Sequence, residues 1–280
     1  MPEEIGEKKV YTLKEVLTSV QRTISNRYKS AFWVKAEMNK LNYYPKSGHC
    51  YPEIVERMED NSNIHIRANL WRGDYERINK NFISVLGEKL KDGIKILFYA
   101  KINFDLQYGL QLIILDIDPS YSLGELEKEK QLTISKLKEE GIFYNNKSLI
   151  LPLLPKRIAI ISVETSKGFA DFKEIIDNNP WRYKFFYMLF PSLLQGEKAI
   201  TEIIAQLKRI EKVKLHFDLV AIIRGGGGDL GLSAFNNYQL AKEIALFPIP
   251  VITGIGHATN ETVAEMVAYK NAITPTELAD

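Results

Sequence analysis

Short runs of alternating apolar and polar residues fill the first part of the chain, and the period changes near residue 123. A helix is predicted over residues 12–28, opening on the capping-box pattern Thr12-Leu-Lys-Glu15. Strand-type runs follow over 32–43, 49–58, 64–72, 94–104 and 110–118, with a helical pattern over 75–90 between the third and fourth. Turn signals such as Pro45-Lys-Ser-Gly48 and Asp60-Asn-Ser-Asn63 separate them. Five strands with one helix between the third and fourth is the order of an OB-fold barrel.

Residues 124–141 are charged and helix-favouring, which predicts a solvated connecting helix. Beyond it, strands over 157–163, 183–190, 217–224 and 249–255 alternate with helices over 169–177, 196–210, 236–247 and 262–270. Strands this apolar are buried on both faces, and right-handed crossovers between them build a doubly wound, mostly parallel α/β sheet. The expected organisation is a helix plus OB-fold over 1–122, a helical connector over 123–142 and an α/β catalytic domain over 143–280.

Composition narrows the partners only a little. The net charge of +2 gives no support to a long-range electrostatic footprint, so a nucleic-acid site must be local. A single cysteine, Cys50, excludes an internal disulfide and fits a reducing compartment. The N-terminus lacks the apolar core of a signal peptide and no run is long enough to span a bilayer, so a cytoplasmic protein with no membrane partner is expected.

The candidate chemistry lies where apolar runs stop. One run ends at Arg224 and passes into Gly225, Gly226, Gly227 and Gly228; another ends Gly254-Ile-Gly256-His257. Carboxyl ends of parallel strands are where α/β sheets place ligands. A guanidinium can hold two phosphate oxygens, and bare glycine amides can turn toward an anion. His257 can transfer a proton near neutral pH. A third strand end leads through Ser166 into a helix carrying Asp171 and Glu174, three apart on one face. Ser166 joins the glycines as a phosphate-binding candidate. Gly226, Gly228 and Gly231 also satisfy G-x-G-x-x-G, but the following strand ends in Gly256-His257 rather than a ribose-binding acid, which argues against a dinucleotide. No cofactor is required by the pattern. A divalent metal such as Mg is not implied, although Asp171, Glu174 and Asp229 offer hard oxygen ligands.

In the predicted barrel, Trp33, Tyr43, Tyr44, Tyr51, Trp71 and Tyr108 offer stacking surfaces, beside Lys40, Lys46, Arg67 and Arg72. Trp33, Tyr43, Tyr44, Arg67, Trp71 and Arg72 are the DNA-binding candidates. Aromatics are common in any strand, so more than half of the six are expected in the core or the barrel wall.

Taken together, Arg-Gly-Gly-Gly-Gly-Asp, then Ile-Pro-Val-Ile-Thr-Gly-Ile-Gly-His-x-Thr, then Thr274-Pro-Thr276 resemble the large subunit of exodeoxyribonuclease VII. The resemblance implies an N-terminal OB-fold and a nuclease domain that degrades single-stranded DNA from either end to oligonucleotides and nucleoside 5′-phosphates. It also implies a small helical partner subunit and no dependence on added metal. The family arginine falls on Arg224 and its histidine on His257; a family acid falls on Glu174 or Asp171. Where the family commonly has Gly-His-Glu-Thr-Asp, this chain has Ala258 and Asn260, and Glu265 holds another position that is often acidic. Family members continue past Thr-Pro-Thr into a helical region that binds the small subunit, so the sequence reads as truncated before it. Two other readings stay open: a single-stranded DNA-binding module with a weakened nuclease site, on the strength of Asn260, and a nucleotide enzyme using the glycine loop.

Overall fold

The computed structural model describes the chain apart from residues 1, 2, 6, 7, 59, 61, 197, 225–231, 257–260 and 280. Two compact units divide it, 1–125 and 126–280.

In the first unit a short hairpin, β1 (Glu3–Ile5) and β2 (Lys8–Val10), precedes α1 (Leu13–Arg27). Thr12 caps α1 as its pattern predicts: its hydroxyl accepts from Glu15 N–H, and the Glu15 carboxylate accepts from Thr12 N–H at 2.9 Å. Then come β3 (Phe32–Lys40), a small hairpin of β4 (Tyr43–Tyr44) and β5 (His49–Cys50), β6 (Glu53–Arg57), β7 (Asn63–Asn69), α2 (Arg72–Leu86), β8 (Ile94–Asp105) and β9 (Gly109–Asp118). Strands β3-β6-β7-β9-β8 close into a barrel in that order, the OB-fold arrangement with its helix between the third and fourth barrel strands. Aliphatic residues fill it: Met38, Ile54, Ala68, Ile96, Leu112 and Ile114 meet Phe98, and α2 adds Ile78 and Phe82.

Two predicted strands are shorter than their apolar runs. The run over 49–58 is cut because Pro52 has no N–H for the ladder, so β5 and β6 are separate. The run over 32–43 stops at Lys40; Leu41 N–H turns to the Asp92 carboxylate at 2.6 Å and Asn42 adopts a left-handed φ of 48°.

A long helix, α3 (Pro119–Glu139), leads into the second unit, which continues β10 (Arg157–Ser162), α4 (Lys167–Asp177), β11 (Phe186–Pro191), α5 (Ala199–Lys212), β12 (Leu219–Ile223), α6 (Tyr238–Ala245), β13 (Val251–Gly254), α7 (Val263–Val267), β14 (Lys270–Asn271) and α8 (Pro275–Ala279). The sheet runs β11-β10-β12-β13-β14 with every pairing parallel. One face packs Ala159, Ile161, Val220, Ile222 and Val251 against residues of α5, α6 and α7; the other packs Ile158, Ile160, Leu219 and Ala221 against residues of α4 and α8. At the amino ends of the strands, Asp218 accepts from the backbone N–H groups of Lys156 and Arg157 and from the Arg157 guanidinium at 2.6 Å.

Asn146, fully buried before the first strand of this sheet, ties down the far side of it. Its amide donates to the carbonyls of Phe247 (3.0 Å) and Ile249 (3.1 Å), and its carbonyl accepts from Val251 N–H (2.9 Å) and Tyr269 N–H (3.1 Å).

The predicted helix over 262–270 is a correction. α7 ends at Val267, because Tyr269 N–H bonds to Val251 and Ala272 N–H to Thr253, which draws Lys270–Asn271 into the sheet. The strand predicted from 183 begins at Phe186. Asn179 holds Tyr183 in a loop by donating to its carbonyl at 2.7 Å and accepting from its N–H at 2.9 Å, and Arg182 has a left-handed φ of 56°.

Candidate active site and nucleic-acid interface

The strand order reverses direction between β10 and β12, and α/β sheets place a ligand crevice beyond the carboxyl ends of two strands that meet in this way. Ser162 ends β10. Its Oγ donates to the carbonyl of Ile223, the last residue of β12, at 2.7 Å, and lies 3.2 Å from Ser166 Oγ. Ser166 is the N-cap of α4, accepting from Phe169 N–H. One hydroxyl thus couples the end of β12 to a helix N-terminus, which favours anions. Arg224 follows Ile223 directly. Its backbone N–H donates to Gly254 at 3.0 Å, and the residue is 4% exposed. A guanidinium keeps its charge when buried.

The two candidate acids lie on α4. Asp171 is half-buried in the middle of the helix, and Glu174 is exposed in its last turn. Phe172 and Ile176, on the same helix, are buried against the sheet.

The glycines before His257 have specific work. A Cβ on Gly254 would lie 3.1 Å from Leu278 Cδ2 and 3.4 Å from Pro275 Cα, so its absence admits α8 across the end of β13. Gly256 has φ +83° and a Cβ there would meet the Ile273 carbonyl at 3.1 Å. Thr274, in the Thr-Pro-Thr segment, caps α8 by accepting from Glu277 N–H at 3.1 Å. Past the turn, Thr262 and Glu265 form a buried capping box at α7, with both Thr262 N–H and Oγ1 2.7 Å from the Glu265 carboxylate. Burial pushes the Glu265 carboxyl above its ordinary value of 4.5, against the bonds from Thr262 that lower it.

In the barrel unit, the aromatic candidates are not core. Trp33, Tyr43, Tyr44, Tyr51, Trp71 and Tyr108 are all exposed, from 40% to 59%, because aliphatic side chains already fill the interior. Most gather around the β4–β5 hairpin and the start of α2. Tyr43 lies 5.2 Å from Tyr75, Tyr44 5.4 Å from Tyr51, and His49 5.1 Å from Trp71. Arg72 N–H donates to His49 Nδ1 at 3.1 Å, and its stem lies against Gly48, where a Cβ would be 2.8 Å from Arg72 Cδ. Trp33 is elsewhere, paired with Tyr99 across β3 and β8 at 5.2 Å. Arg67 stands on β7 between Glu53 and Gln111, outside the cluster.

Residues 142–280 match the family described as exonuclease VII, large subunit, and residues 11–118 match the OB-fold nucleic acid binding domain. The chain belongs to the exonuclease VII large-subunit family. The exodeoxyribonuclease 7 large subunit of Deinococcus radiodurans is 29% identical over 278 residues, covering 95% of this chain and 65% of its own. That of Clostridium tetani is 31% identical over 227 residues, covering 79% and 57%. The chain therefore spans between half and two thirds of the length of these relatives. A solved mitochondrial single-stranded DNA binding protein from S. cerevisiae aligns at 13% identity and a TM-score of 0.24, over 32% of this chain and 90% of its own.

Of the candidate site residues, Gly225–Gly228, His257 and Asn260 lie outside the described residues, as does Asp229. Arg224 and Ser166 are brought to the same crevice through Ser162 and Ile223. Among the described residues no group of three or more His, Cys, Asp or Glu is placed to hold a metal ion, and no helix is long and apolar enough to cross a membrane. Two residues escaped the sequence reading. Ser162 was legible only as a polar residue closing an apolar strand. Thr253, likewise a lone polar residue in an apolar strand, is fully buried, and its Oγ1 has no hydrogen-bond partner among the described residues. Thr253 is in register with Ile222, two residues before Arg224.

Proposed function

We propose that this chain hydrolyses phosphodiester bonds of single-stranded DNA from either end, yielding oligonucleotides and nucleoside 5′-phosphates, as part of the large subunit of a two-component cytoplasmic nuclease with a small helical partner. The observation that carries this reading is Arg224: a buried cation at the switch point of the sheet, beside the capped N-terminus of α4, in a chain of this family. The hairpin aromatics of the barrel unit, with Arg72, stack bases of the strand and hold it for cleavage.

In this mechanism Arg224 and the amides of Gly225–Gly228 bind the scissile phosphate and stabilise charge developing on its oxygens, helped by the α4 N-terminus at Ser166. Water attacks phosphorus and the bond to the 3′-oxygen breaks, which leaves the phosphate on the 5′ side of the released nucleotide. His257 either gives its proton to the departing oxygen or takes one from the water. Asp171 or Glu174 orients that imidazole. Asn260 contributes a hydrogen bond but no base. No step requires a metal ion.

The test uses an end-labelled single-stranded oligonucleotide and a version of the chain extended to the length of its relatives, with and without chelator. Arg224→Ala and His257→Ala are expected to lower the cleavage rate by about 100-fold or more while leaving oligonucleotide binding in place. Undiminished cleavage by both variants would overturn the site assignment.

A further inference from the structure

The outer edge of β11 is open. Among the described residues β11 pairs only with β10. Phe186 N–H donates inward to Lys156, and Ser192 N–H to Ser162. The alternation along a strand therefore turns the N–H and C=O groups of Tyr187 and Leu189 outward. Pro191, the next outward position, has no N–H, and its carbonyl already accepts from Gln206 Nε2 at 2.9 Å.

The strand is an unguarded edge in other respects. Residues 185–190, Phe-Phe-Tyr-Met-Leu-Phe, carry no charge, and the register with β10 is regular through six pairs with no bulge. Phe186 is 67% exposed and Met188 57% exposed. They are in register with Arg157 and Ala159, so both stand on one face of the sheet. Edge strands in water are ordinarily blunted by lysine, bulges or a covering element.

We propose that β11 is an interface at which a second copy of this chain adds its own β11 antiparallel, about a two-fold axis at Met188. The outward groups fit themselves. With Tyr187 opposite Leu189 of the second copy, each N–H meets a C=O in both directions, and the pairing stops where Pro191 removes the next donor. Met188 then faces its own mate as a non-hydrogen-bonded pair, and Phe186 stands opposite Phe190 of the second copy on the same face. An isologous contact of this kind closes at two copies and builds no fibre. One strand with two exposed large side chains falls short of the roughly 800 Å² per partner of a standard interface, so the dimer forms with rising concentration rather than permanently.

Sedimentation and light scattering over a wide concentration range should show a monomer–dimer equilibrium, weakened about tenfold or more by Met188→Lys, which sets like charges face to face on the axis. On mild oxidation Met188→Cys should yield a disulfide-linked dimer. Phe186→Cys should not, since that position lies roughly 13 Å from its symmetry mate in this register. Cys50 does not compete: it is fully buried, and burial pushes its thiol up to about 12. Monomers at every concentration for both wild type and Met188→Lys would overturn the proposal, as would equal cross-linking by the two cysteine variants. Shielding of the Met188→Cys thiol from a maleimide in the monomer would show the edge covered from within the chain, and the proposal would fail.

Discussion

Ser162 Oγ donates to the Ile223 carbonyl at 2.7 Å and binds together the ends of two strands that are 61 residues apart. The contact sets the position from which Arg224 departs. Ser162→Ala leaves that carbonyl without its hydroxyl and is expected to cost about 1–2 kcal/mol of stability. It should also slow cleavage while single-stranded DNA binding stays the same. Urea unfolding and an oligonucleotide assay check both; full activity in Ser162→Ala would mean that the tie does not position the arginine.

Gly256 and Gly254 make an internal comparison. Gly256→Ala meets both a left-handed φ of +83° and the Ile273 carbonyl, whereas Gly254→Ala presses mainly on the movable end of Leu278. The first should cost about 1–3 kcal/mol and the second less. Thermal unfolding of the two variants decides it; equal losses would remove backbone strain as the cause.

Around the hairpin, Tyr44→Ala and Trp71→Ala should each weaken binding of a single-stranded oligonucleotide by about 1–3 kcal/mol. Ile64→Ala, exposed on β7 away from the hairpin, should change nothing. Fluorescence anisotropy at one fixed salt concentration gives the comparison. Loss in Ile64→Ala equal to that of the aromatic variants would place the strand on the barrel wall instead.

The buried capping carboxylate predicts a pH dependence. Because burial raises the folded carboxyl of Glu265 above 4.5, the folded state holds its proton to higher pH than the unfolded chain does. Its contribution favours folding most at acid pH and is lost as pH rises from the ordinary value through the raised one. Glu265→Gln keeps an acceptor for Thr262 N–H without the buried charge. Relative to wild type it should gain stability from acid to neutral pH, read as the difference in Tm across that range. A constant difference would show that the carboxylate is not the titrating group.

Much of the fold is written in local pattern. The five barrel strands with their helix, and the alternation that follows, come through because each element carries its own period and its own stop signals. Thr12 and Glu15 even specify the cap that forms. What stayed hidden depends on distant partners. The run after Thr262 has helical periodicity to Lys270, yet carbonyls of β13 capture its last residues as a strand. Asn179 delays β11 by a side-chain grip that no propensity records. At the site, Arg224 announces itself by following an apolar strand into glycines. Ser162 does not, since its role exists only once β10 and β12 are neighbours.

Asn146 bears on where the second unit can be cut. A shortened version beginning at the first strand of the sheet would retain every strand and helix of the α/β layer. It would nevertheless leave the carbonyls of Phe247 and Ile249 and the Val251 N–H without the amide that serves them, and would take from Tyr269 N–H one of its two acceptors. The smallest autonomous fragment therefore has to start upstream of that asparagine, in the stretch between α3 and β10, and not at the strand itself.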